Sequence, residues 1–76
     1  MGAGPKDPYV ILAVEADASD ETVRSAWRRA LSEAHPDRAQ SRGLPAEFVE
    51  LAHLKSAAIN EAYDTVMRER RALVEA

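Results

Sequence analysis

Apolar side chains return at spacings of three and four in two stretches of this chain, with a polar corner between them. In the first stretch Val23, Ala26, Trp27, Ala30, Leu31 and Ala34 share one face of a helix, and Ser25, Arg28, Arg29 and Ser32 share the other. Arg24 lies on a flank, one turn before Arg28. In the second stretch Phe48, Leu51, Ala52, Ala58, Ile59, Ala62, Tyr63 and Val66 form a longer stripe. Lys55 sits within that stripe and is expected to lay its stem on apolar surface while its amine reaches water. The pattern predicts helices at about 20–34 and 45–71, joined by a loop over 35–44. They should pair antiparallel as a helical hairpin. The fold class is all-α, and no internal repeat breaks it.

Local signals set the ends of these elements. Ser19 is a good N-cap, and Asp20 and Glu21 suit the positive end of the helix that follows. Thr22 stands where a Glu or Gln would complete a capping box. Gly43 breaks any continuation, and Pro45 suits the start of the next helix. No Gly or Pro follows Pro45, so nothing stops that helix before the chain does. Its tail from about Arg68 should overhang and fray, unless the first helix covers it. Near the start, Asp7 caps a short helix of about 8–12 that opens at Pro8. Tyr9, Leu12 and Val14 give it apolar contacts.

The corner is Ala34-His35-Pro36-Asp37-Arg38. Pro36 fixes its own φ and disfavours the helical region for His35, so the preceding helix should stop there. Asp37 carries an acceptor that could bond a nearby backbone N–H and set a turn.

Composition narrows the picture. A length of 76 residues allows one small domain. There are no cysteines, hence no disulfide and no Cys-based zinc site. The aromatics are only Tyr9, Trp27, Phe48 and Tyr63, so a core must rest on aliphatic side chains. A net charge of −3 argues against general nucleic-acid binding. Arginines nevertheless cluster at Arg24, Arg28 and Arg29 and again at Arg68, Arg70 and Arg71. No run of about 18 apolar residues could cross a membrane. Residues 1–6 read as a flexible leader without a signal-peptide core, and 7–76 as the domain.

His35-Pro36-Asp37, set between an Arg-rich helix and a long one, resembles the J domain of DnaJ-type co-chaperones. Asp7 to Val14 is similar to that family's opening, Ala18 to Arg29 to its second helix, and Ile59-Asn60-Glu61-Ala62-Tyr63 to its third. The long connection Arg42-Gly43-Leu44-Pro45-Ala46-Glu47-Phe48 looks most like the C-terminal J domain of the membrane-anchored DnaJ-like protein A class. In that class a membrane segment and a helical middle domain precede the J domain. The chain departs from the family in three places. Ala13 stands where a Gly usually closes the first helix, so that turn could be remodelled. Ser25 replaces a frequent Lys, and the usual closing Gln-Lys-Arg-x-x-Tyr-Asp element is absent.

The resemblance implies a cytoplasmic partner, a DnaK-type chaperone, whose ATP hydrolysis the domain promotes without chemistry of its own. His35, Pro36 and Asp37 would be the active corner, with Arg24, Arg28, Arg29 and Arg38 as a docking patch. Trp27, in place of a common Tyr, would be mainly core with a secondary contact role. Asn60 would steady the loop or stand exposed, and Tyr63 would pack. No cofactor, metal, small-molecule substrate, nucleic acid or membrane contact is expected of this chain. A Ser-His-Asp reading lacks an oxyanion hole and a cleft, and His35 and His53 fit no zinc spacing. The competing class is a helix-turn-helix nucleic-acid binder, suggested by arginines along one helix face. The net negative charge and the long connection count against it.

Overall fold

The computed structural model describes residues 7–75. The expected leader at 1–6 lies outside them. Four helices follow in order: α1 (Pro8–Leu12), α2 (Asp20–Ala34), α3 (Pro36–Ser41) and α4 (Ala46–Glu75). No strand occurs among the described residues.

The first two helices start as their sequences require. The Tyr9 N–H donates to the Asp7 carboxylate at 3.0 Å, with Pro8 in the first turn. The Thr22 N–H donates to Ser19 Oγ at 3.1 Å. Thr22 does not leave the cap idle, because Ser19 Oγ in turn donates to Thr22 Oγ1 at 2.9 Å. α1 closes through Val14 N–H to Tyr9 C=O and Ala13 N–H to Val10 C=O, both at 3.0 Å. This is a Schellman turn. The turn is therefore not remodelled: Ala13 itself takes the left-handed conformation, at φ 57 and ψ 50. An L-residue with a Cβ pays about 1 kcal/mol for that.

α2 and α4 run antiparallel. Their cross-contacts pair Asp20 with Arg70, Arg24 with Tyr63, Trp27 with Asn60 and Ala34 with Ser56, so one number falls as the other rises. Val23 from α2, Leu12 from α1, and Ile59, Ala62 and Val66 from α4 form the buried cluster. Each fully buried aliphatic side chain contributes roughly 1.5–3 kcal/mol through the water it sheds.

Three expectations need correction. The segment 35–44 is not a plain loop, because it contains α3. Fraying from Arg68 is not seen, for α4 stays helical to Glu75. Arg70 anchors it, donating from Nη1 to Asp20 Oδ1 at 2.7 Å and from Nη2 to the Ala16 carbonyl at 3.3 Å. The Tyr9 ring lies 5.8 Å beneath the same guanidinium. Tyr9 first, and Asp20 after it, raise the Arg70 pKa. Finally, the early part of the α4 stripe is not buried. Phe48 is 51% and Leu51 52% exposed, and Ala58 faces solvent too.

Candidate functional site

Pro36 both ends α2 and begins α3. Its ring has no N–H, which suits the first turn of a helix, where that group would have no partner. His35 is left as the single residue between two helices, with φ −63 and ψ 135. Its side chain makes the cap: the Asp37 backbone N–H donates to His35 Nδ1 at 3.2 Å. Asp37 was expected to supply the acceptor that sets this turn, and His35 supplies it instead. While that bond stands, the ring proton of a neutral His35 sits on Nε2. The Asp37 carboxylate Oδ2 lies 3.7 Å from the same Nδ1.

The corner is anchored on one side and open on the other. Pro36 and Ala39 are buried against the body. The flanking side chains stay in water, His35 at 50% and Asp37 at 80% exposure. From α4, Ser56 Oγ donates to the Ala34 carbonyl at 3.2 Å. That carbonyl belongs to the last turn of α2 and has no partner within its own helix. Sequence reading missed Ser56. The available signal was a polar residue at stripe spacing, between Ala52 and Ile59.

A shallow cleft gathers Arg28, His35, Asp37 and Arg38 around Leu31 and Ser32. Four of the residues singled out from the sequence thus share one surface. Arg24 and Trp27 of α2 and Asn60 of α4 form a second group, about two to three turns of α2 before the corner. The Trp27 Nε1–H donates to Asn60 Oδ1 at 2.9 Å, and the indole stacks on Tyr63 at 4.4 Å between centroids. Asn60 therefore holds α2 to α4 and not the loop. The Arg24 Nε–H reaches the Tyr63 hydroxyl at 3.5 Å, and that hydroxyl raises the Arg24 pKa. Tyr63 packs as expected. Arg29 is exposed and joins neither group.

The DnaJ domain family model matches residues 7–73. The chain belongs to the DnaJ domain family. Among curated proteins it is similar to Co-chaperone protein DjlA of Shewanella oneidensis, 42% identical over 64 residues. That match covers 84% of this chain and 24% of the relative. The DjlA proteins of Vibrio vulnificus (39% over 64 residues, 84% of this chain and 22% of theirs) and Mannheimia succiniciproducens (40% over 68, 87% and 24%) are similar as well. The chain spans about a quarter of the length of these relatives. No solved structure matches it significantly. No helix among the described residues is long and apolar enough to cross a membrane.

Proposed function

We propose that this J domain acts as a co-chaperone module: it binds a DnaK-type chaperone and stimulates its ATP hydrolysis through the His35-Pro36-Asp37 corner. The observation that carries the reading is the corner's geometry. Two exposed polar side chains flank a buried proline, beside Arg28 and Arg38 in one cleft. The names of the DjlA relatives, all co-chaperones, support it.

The domain works as a ligand with unequal affinity for two states of its partner. Binding the hydrolysis-competent state more tightly shifts the partner toward it. Each tenfold gain in hydrolysis corresponds to about 1.4 kcal/mol of such difference. The capping bond and the buried proline fix the corner before contact, which lowers the ordering cost of binding. Arg24, Arg28, Arg29 and Arg38 steer the approach to an acidic surface and fix its orientation, so association weakens with salt. Trp27 and Asn60 keep α2 in register on α4 beneath that face. No bond is made or broken by this chain, and the cytoplasm is the compartment of this reading.

The test is single-turnover ATP hydrolysis by a DnaK-type chaperone with the wild-type chain, with His35→Gln and with Asp37→Asn. Asp37→Asn is the sharper variant, because the capping acceptor belongs to His35 and survives. Acceleration by the wild type, lost in both folded variants, is the expected result. A wild-type chain that leaves several such chaperones unchanged would refute the proposal.

A further inference from the structure

His35 Nδ1 stands between two groups with opposite needs. The Asp37 backbone N–H donates to it at 3.2 Å, and the Asp37 carboxylate Oδ2 lies 3.7 Å away. A ring nitrogen of histidine either accepts through its lone pair or donates through an N–H. As an acceptor, Nδ1 satisfies the amide and can offer the carboxylate only a lone pair. Once protonated it cannot accept, so the amide loses its partner and the carboxylate gains a donor. The two arrangements exclude each other at a single atom. Both side chains stand in water, so a small turn of the Asp37 side chain completes the exchange. Pro36 adds to the effect, because it has no N–H and leaves the Asp37 amide as the first donor of α3.

The neighbours leave that choice to His35 and Asp37. Arg28 and Glu33 of α2, Arg38 of α3 with Arg42 at its C-cap, and Lys55 of α4 line the clefts that His35 shares. Among the described residues Asp37 is the one carboxylate paired with the ring. The ordinary charge change of histidine falls between about pH 5 and about pH 8.

We propose that His35 is a protonation switch that opens and closes the corner. Neutral, it holds the Asp37 N–H and leaves the Asp37 carboxylate free for a partner. With a proton taken from water, it releases that amide, and its Nδ1–H donates to the Asp37 carboxylate. The carboxylate is then engaged within the chain. The consequence for a chaperone rests on the function proposed above, whereas the switch itself belongs to this chain alone.

Nitrogen NMR on the isotope-labelled whole chain reads the switch without a partner. Wild type, His35→Asn and His53→Gln are compared at about pH 8 and about pH 5. At the higher pH the expected result is an Nδ1 without a proton and a nitrogen–nitrogen coupling from it to the Asp37 amide. At the lower pH the coupling disappears, and the Asp37 carboxyl carbon shifts together with the imidazole. In His35→Asn, whose side-chain oxygen caps without titrating, the Asp37 amide should hold its position. His53 is exposed on α4, and His53→Gln should follow the wild type. A neutral ring protonated on Nδ1, a missing coupling, or an Asp37 amide that moves equally in His35→Asn would overturn the switch.

A second arm measures single-turnover hydrolysis by a DnaK-type chaperone, with and without the wild-type chain, at about pH 8 and about pH 6. The ratio of stimulated to basal rate should fall several-fold at the lower pH. An unchanged ratio beside a working switch overturns the closing of the corner. A wild type that stimulates at neither pH overturns the function proposed above and the closing with it, while the coupling still decides the switch.

Discussion

The two halves of α4 belong to different kinds of protein surface. From Ile59 to Arg70 the helix is covered: Ile59, Ala62 and Val66 are buried under α1 and α2, and Arg70 is tied to Asp20 and Ala16. From Ala46 to Lys55 it is half bare, with the six-residue α3 and the last residues of α2 beside it, and Phe48, Leu51 and Leu54 face water. One half holds the fold, and the other keeps apolar side chains in water. A domain this small has few buried side chains to lose, so the division has large energetic consequences.

Truncation of the covered half should have the largest effect. Ile59→Ala, at a side chain only 7% exposed, should cost about 2–5 kcal/mol in urea unfolding. Phe48→Ala should cost well under 1 kcal/mol in the same assay, since about half of its surface is already wet. Equal losses would erase the distinction between the halves. Next comes Arg70→Ala, which removes two hydrogen bonds and the stacking on Tyr9. Because Asp20 is largely in solvent, a loss of about 1 kcal/mol is expected. Hydrogen exchange should show it as faster opening of the last turns of α4, and unchanged exchange there would remove Arg70 as the anchor.

Ser56→Ala tests whether the open half needs the covered one to hold its shape. It should destabilise by about 1 kcal/mol, as it strips the Ala34 carbonyl of its partner. It should also lower chaperone stimulation, because the end of α2 beside the corner loses its tie to α4. Smallest is the contrast between two turns of the same kind. Gly43 closes α3 at φ 70 through Gly43 N–H to Gln40 C=O and Leu44 N–H to Ala39 C=O. A Cβ there would meet nothing within 4 Å, so Gly43→Ala should cost about 1 kcal/mol through φ alone. Ala13→Gly should gain about 0.5 kcal/mol, the relief of φ being partly offset by a freer unfolded chain. Chemical denaturation of the pair measures both, and like signs for the two would refute the φ argument.

Much of this was legible beforehand. Asp7, Ser19 and the three-and-four spacing on α2 placed its helices almost to the residue, because caps and periodicity act over one or two turns. The corner was legible as a stop at His35. That α3 also begins there was not: its six residues carry too short a pattern to show a face, and a proline that stops one helix can equally open the next. Residue type points to Asp37 as the acceptor that sets the turn, but only backbone geometry shows that His35 Nδ1 receives the free N–H. Ser56 and Arg70 were hidden because polar residues at stripe spacing reveal their purpose only when the opposite helix supplies a carbonyl or a carboxylate.

By itself, then, the sequence determined an all-α chain, the ends of α1 and α2, and a His-Pro-Asp corner after an arginine-bearing helix. Periodicity says which side chains share a face, and nothing about what will cover that face. Tertiary structure decided the cover. α4 has 30 residues and α2 has 15, about 45 Å against 22 Å, so one partner helix can shelter only half of the stripe. α1 and Arg70 drew the C-terminal half into the core, and the apolar residues beside the corner stayed in water.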